Sequence, residues 1–351
     1  MKILIIGLTP PLEGGSQQHI FEVVKRLDKK GVDVTVLTQK GTLCNKYVRC
    51  IEIPLKNKSG YAQSFEFYNQ VKKMIGSFKG YDVIHLHESY LFLLIPALKR
   101  TTKAKVIATV HGLKGFKYYD CKLLWWIFKN KLNRADKLIA VSPAELADLK
   151  KEIRVPIEYI SNGVDISIYK KVSPKISKKI TFIGRIHEQK GLIYLLEAFE
   201  KIKNKFPDLK LEIVGRINDY ALELKKRYLD KRIIWKGYIS DRQIMAKELK
   251  SAHCIVLPSL WEAGPPLTLF ESWAAGRPVI ISSLKYMQPI VNSKNSFLVR
   301  PKDSNELAKA IAKVILDKRL ASKIAKEGHK SVKFYDWKNI ALQTKKVYLD
   351  L

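Results

Sequence analysis

Residues 179–205 read KITFIGRIHEQKGLIYLLEAFEKIKNK. A five-residue run with buried-strand character (179–183) enters a glycine-bearing loop, and a helical stretch (192–205) follows. The unit recurs downstream, with strands expected at 211–214, 233–235, 254–257 and 278–281 and a further helix at 266–275. It also recurs upstream, with strands expected at 2–6, 33–37, 83–87, 105–110 and 137–141. The upstream stretch 17–30 keeps helical spacing through Ile20, Val23, Val24 and Leu27 and stops at Gly31. Short apolar strands alternating with helices predict a parallel sheet covered on both faces. Because the pattern occurs twice, the expected fold class is α/β, with two Rossmann-like doubly wound domains facing across a cleft. Five lysines, two serines and a proline between 170 and 179 suggest the join. The expected domains are 1–170 and 171–335, with a last amphipathic helix within 336–351 packing back on the first domain.

Composition supports this reading and excludes others. A chain of 351 residues with 46% apolar content can bury two cores and is not disordered. The longest apolar stretches, such as 91–98 and 123–128, fall short of the roughly 18 residues that span a bilayer. The start, Met1-Lys2-Ile3-Leu4-Ile5-Ile6-Gly7, reads as a first strand and not as a signal peptide. Four scattered cysteines without a C-x-x-C favour neither a disulfide framework nor a zinc site, and the expected location is the cytoplasm.

The formal charge of +31 speaks to partners: nucleic acid, an anionic membrane surface or phosphorylated substrates would all respond to it. Segment 100–134 holds nine Lys/Arg and one acid, interleaved with Phe116, Tyr118, Tyr119, Trp125, Trp126 and Phe128. That mixture suits a lipid headgroup interface, single-stranded nucleic acid, or a helix that buries its rings and leaves its lysines wet.

Ligands of open α/β sheets sit at the carboxyl ends of strands, so the loops after strands are where chemistry is expected. The first such loop, 7–16, places Gly14 and Gly15 at a strand–helix junction; a phosphate cradle and a plain turn both fit. His85 and His87, two apart, face one side of their strand, but no third ligand stands nearby at a recognisable metal spacing. His111 precedes Gly112 at the next strand end, placed to reach a cleft. In the loop 184–191, Arg185 and Lys190 suit a diphosphate, the first bidentately and the second as a point charge. In the loop and helix of 257–278, the amides near Leu267, Thr268 and Leu269 could cap a phosphate, and Glu262 and Glu271 could bind hydroxyls.

Taken in order, these marks resemble the family 4 glycosyltransferases, which have the GT-B fold. They are Pro-Pro-x-x-Gly-Gly at 10–15, the strand 82–87, Val110-His111-Gly112, the segments 135–142 and 160–165, Gly184-Arg185 through Lys190-Gly191, and 262–278. The resemblance spans nearly the whole chain. It implies a retaining hexosyltransferase that uses a nucleotide-diphosphate sugar and a glycan or lipid-linked acceptor, in polysaccharide or glycolipid synthesis. The catalytic residues it implies are His111, Arg185, Lys190 and Glu262. Gly14, Gly15, Gly184, Leu267, Thr268 and Glu271 would bind the donor, and Tyr238 and Ile239 would flank its base. No cofactor and no metal are expected: the chain has no Asp-x-Asp, and Arg plus Lys can stand in for a divalent cation. The family carries two glutamates separated by seven residues; counting back from Glu271 reaches Ala263, and Glu262 stands one residue earlier. Peripheral attachment to the inner face of the membrane through 100–134 is the expected placement. The alternatives are a nucleotide-sugar epimerase or phosphorylase of the same fold, or a basic nucleic-acid-binding protein; no nucleic-acid recognition motif is present.

Overall fold

The computed structural model describes every residue except 12–13, 28–29, 58–59 and 113–120. The chain divides into two compact units, Met1–Gly163 with Trp337–Leu351, and Val164–Asp336. The division falls ahead of the lysine-rich stretch at 170–179, and the last helix, Trp337–Leu349, belongs to the first unit, packed on the helix Gly15–Arg26.

The first unit holds strands β1 (Lys2–Ile6), β2 (Asp33–Gln39), β3 (Arg49–Ile53), β4 (Val83–Leu86), β5 (Lys105–Val110), β6 (Lys137–Ala140) and β7 (Ile157–Tyr159). The second holds β8 (Lys179–Ile183), β9 (Lys210–Val214), β10 (Ile233–Gly237), β11 (Cys254–Leu257), β12 (Val279–Ser282) and β13 (Phe297–Val299). The sheet orders are β3-β2-β1-β4-β5-β6-β7 and β10-β9-β8-β11-β12-β13, with parallel pairing throughout. Each is a doubly wound sheet whose strand order reverses at one point, between β1 and β4 or between β8 and β11. Central strands such as β4, β11 and β12 are buried at every position, which is why they read as continuous apolar runs. The three strands missing from the sequence reading, β3, β7 and β13, end the first sheet and one side of the second. They are short and only half buried, so they lack that run.

Candidate functional site

The reversal point of an open parallel sheet leaves a crevice outside the strand ends, because adjacent loops diverge there to opposite faces. In the second unit that point collects Gly184, Arg185 and Lys190 after β8, and Ser259 to Pro266 after β11. Side chains stitch the two loops together. The Gln189 amide donates to the Trp261 carbonyl at 3.0 Å, and the Leu260 amide donates to the Gln189 carbonyl at 2.8 Å. The Lys190 ammonium donates to Glu262 Oε1, which also accepts from Ser259 Oγ at 2.6 Å. Arg185 is exposed, and its Nη2 donates to the neutral Gln189 Oε1 at 3.2 Å. Among the described residues no carboxylate pairs with Arg185. Glu262, buried, is turned to Lys190 and holds that ammonium in place.

Glycine is required twice in this arrangement. Gly191 has φ 63°, and a Cβ there would meet the Pro258 carbonyl oxygen at 2.1 Å. Gly215, after β9, lies so close to the Gly184 carbonyl oxygen that a Cβ would come within 2.3 Å of it. These approaches bring the loops after β8, β9 and β11 together.

The other residues at which the resemblance places the donor have separate surroundings. Leu267 and Thr268 form the first turn of the helix Leu267–Ala274, which no side chain caps. The Tyr238 ring is exposed, with the Arg216 guanidinium 5.2 Å from its centre; Ile239 follows it after β10. Glu271 lines a small hollow with Asp165, Tyr169 and Arg242. Burial, then the charge of Glu271, raises the Tyr169 phenol well above its usual range.

In the first unit the corresponding edge gathers a group that the sequence displayed only in part. His87 Nδ1 and His111 Nε2 are 3.2 Å apart, and the His85 and His87 ring centres are 4.2 Å apart. His85 is tied at both nitrogens, to the Tyr348 hydroxyl and the Thr109 hydroxyl, each at 2.7 Å. His19 joins them from the helix Gly15–Arg26, its ring edge-on to His111 and to Trp337, with Nδ1 3.0 Å from Asn162 Oδ1. Burial pulls His19 down to about 4 and His85 to about 3. Burial, then neighbouring imidazoles, holds His87 and His111 well below the usual value. All four are therefore neutral near pH 7, and His111 is suited to hydrogen-bond a hydroxyl and not to carry charge. No group of three or more His, Cys, Asp or Glu able to hold a metal occurs among the described residues.

Glu88 was missed in the reading of the sequence. It follows β4 and accepts from Ser16 Oγ at 3.2 Å and Gln17 Nε2 at 3.3 Å, beside Gly14 and Gly15. Burial pushes it up to about 7, against the bonds from Ser16 and the Leu8 backbone. The available signal was its position directly after a strand at the reversal point. His19 carried no such signal, since it sits inside a helix. In the same loop, 12–13 lie outside the described residues.

Two doubly wound parallel units are the plan of the GT-B fold. The sequence matches the family described as Glycosyltransferase Family 4 over residues 13–168 and that described as Glycosyl transferases group 1 over residues 177–317. The chain belongs to the family 4 glycosyltransferases. It is 26% identical to the phosphatidyl-myo-inositol mannosyltransferase of Mycobacterium leprae, over 98% of this chain and 96% of that one. It is 28% identical to the UDP-Gal:alpha-D-GlcNAc-diphosphoundecaprenol alpha-1,3-galactosyltransferase of Escherichia coli, over 91% and 89%. Among solved structures, the sucrose-phosphate synthase of Thermosynechococcus elongatus shares the fold with a TM-score of 0.85 and 23% identity, over 99% of this chain and 98% of that one.

Proposed function

We propose that this glycosyltransferase moves a hexose from a nucleoside diphosphate sugar to a lipid-linked or glycan acceptor, with retention and without a metal ion. The observation that carries the reading is the pair of loops at the β8–β11 reversal, where Arg185 and the Glu262-held Lys190 stand at the strand ends. As the bond between the anomeric carbon and the diphosphate parts, negative charge builds on the leaving group. Cations already fixed in place stabilise that charge without reorganising. Arg185 supplies the uncompensated charge, Lys190 a second, and the first-turn amides of Leu267 and Thr268 a third source of positive potential. Glu271 would take the ribose hydroxyls, and neutral His111 a hydroxyl of the transferred sugar. The acceptor class is supported by the names of the two relatives, which carry phosphatidyl-myo-inositol and a diphosphoundecaprenol.

Peripheral attachment to the inner, cytoplasmic face of a membrane belongs to the same reading. The helix Lys122–Leu132 exposes Leu123, Leu124 and Trp126 beside Lys122, and Lys131 follows in its last turn. Two leucines, one indole and lysines on one short helix suit an anionic headgroup layer. Residues 113–120 of the proposed docking segment, with Phe116, Tyr118, Tyr119 and Asp120, lie outside the described residues. Among the described residues, no helix is long and apolar enough to cross a membrane.

The test is a product assay with a panel of nucleoside diphosphate sugars and polyprenyl diphosphate-linked and phosphatidylinositol acceptors, with anomeric configuration read by NMR. Arg185→Ala and Lys190→Ala should each lower kcat by roughly 10²–10³-fold, and excess EDTA should leave turnover unchanged. An inverted product, activity restored only by added divalent metal, or near-native turnover in both folded variants would each refute part of the mechanism. Product formed without any acceptor would point to epimerisation, and a requirement for inorganic phosphate to a phosphorylase. For the membrane, co-sedimentation with anionic vesicles should exceed that with neutral ones; equal recovery removes the electrostatic attachment.

A further inference from the structure

The amino-terminal edge of the second sheet, opposite the loops that carry Arg185 and Lys190, contains a cavity of about 760 Å³. Ile176, His253 and Pro278, which precede β8, β11 and β12, line it, together with residues of the helices Ile166–Lys170 and Lys318–Ser331. Six permanent cations line it as well, Lys170, Lys250, Arg277, Lys318, Lys326 and Lys330, and no Asp or Glu does. Between the charges the walls are apolar, with Ile166, Val314, Ala321 and Ala325.

Ordinary structural roles account for part of this set. Lys250 donates to the Tyr169 carbonyl at 2.8 Å, Arg277 Nε to the Gly276 carbonyl at 3.0 Å, and Lys330 pairs with Glu327 at 2.7 Å. Lys170 and Lys250 sit in last helical turns, where cations favour the helix dipole. The same argument fails for Lys318, which begins a helix and so opposes the dipole, and for Lys326 in mid-helix. Among the described residues no carboxylate pairs with Lys170, Lys318 or Lys326. Burial pushes the Arg277 guanidinium down, and burial together with the charges of Arg277 and Lys318 pulls His253 down against its bond to the Val314 backbone. Lys170, Lys318, Lys326 and Lys330 are exposed, and Lys250 and Arg277 are half-buried; like charges concentrated in one concavity repel. A volume in the small-molecule range with apolar walls adds room for an organic part.

We propose that this cavity is a second anion site, taking a diphosphate or phosphate ester whose organic portion lies on the apolar walls. The shared chemistry is the phosphate; a free metabolite and a lipid headgroup are its two possible sources. The inference goes beyond the donor reading and is tested without relying on it. The full chain carrying Arg185→Ala and Lys190→Ala, which weakens the donor loops, is titrated calorimetrically with inorganic pyrophosphate and with farnesyl diphosphate.

Binding of either probe should persist in that background. Adding Lys318→Glu and Lys326→Glu should weaken it by about tenfold or more, on the scale of one to two lost ion pairs. The control pair Lys225→Glu and Lys226→Glu, on the exposed face of another helix, should change it less than about twofold at matched ionic strength. Equal affinities for the two probes assign a free phosphate compound, and clearly tighter farnesyl diphosphate assigns a lipid-like one. Equal losses in the control would show non-specific attraction to a chain of charge +31 and overturn the proposal. Pyrophosphate that binds the unmodified chain but not the Arg185/Lys190 background would overturn it while leaving the donor reading intact.

Discussion

Lowering the pH from 7.0 to 5.5 should destabilise the first unit by about 3 kcal/mol, because four imidazoles are folded away in their neutral form. His19, His85, His87 and His111 all have folded values far below the ordinary 6.5. When the folded value is depressed, the unfolded chain binds more protons between the two values. The stability is fully present above about 6.5 and is lost as the pH falls toward the folded values near 4 and 3. At pH 5.5 an unfolded imidazole is about nine-tenths protonated, which favours unfolding by about 1.2 kcal/mol relative to pH 7, or about 5 kcal/mol for four. Glu88 acts in the opposite sense: its folded value is raised to about 7, so the folded chain takes up the proton as the pH falls and recovers about 1.6 kcal/mol. The net loss is a large part of a domain stability of about 5–15 kcal/mol. The assay is urea unfolding at both pH values, followed by signals from each unit, with imidazole NMR titration of the folded chain. The reasoning fails if first-unit stability is flat across this window, or if any of the four rings titrates near 6.5 while the chain remains folded.

Gly191→Ala should combine a strained φ with a collision against the Pro258 carbonyl. It is expected to cost about 1–3 kcal/mol and to weaken nucleoside diphosphate binding, read by unfolding and calorimetry; an unchanged variant would show that the two loops are not held by this contact. Trp337→Ala empties a fully buried site beside His19 and should destabilise the first unit by about 3–5 kcal/mol with the second unaffected, a split visible in unit-specific unfolding signals.

How much of this the sequence revealed follows from where each residue's signal lies. Buried parallel strands announce themselves because both faces demand apolar side chains, so β4, β8, β11 and β12 read directly. Loops after those strands are where cations and glycines bear on chemistry, and Gly184, Arg185 and Lys190 stand in one of them. Pairings between distant loops leave no local trace. Nothing near Glu262 in the sequence indicates that its carboxylate closes on Lys190 across a separation of 72 positions. The histidine cluster is hidden for the same reason: His85 and His87 share a strand face, but His19 and His111 join them only through the order of strands and the packing of the helix Gly15–Arg26. The cationic cavity is the extreme case, since its lysines come from three helices far apart in the sequence.

Under the proposed function, a glutamate at 262 in place of one at 263 has a physical account in these contacts. A carboxylate anchored by Ser259 and Lys190 lowers the net positive charge at the β8–β11 loops, yet it also fixes the ammonium that a diphosphate would meet. Without that anchor, a flexible lysine would have to lose its conformational freedom when the donor binds. With it, the side chain is already ordered, and binding exchanges part of one ion pair for another. Arg185, hydrogen-bonded only to a neutral amide in this network, then provides the charge that Glu262 offsets at Lys190. Under the proposed function the two cations would divide the work, one preorganised by an internal counterion and the other held by an uncharged partner. The Lys190–Glu262 contact is supported by the Ser259 bond to Glu262 within its own loop and by the Gln189–Trp261 tether between the two loops.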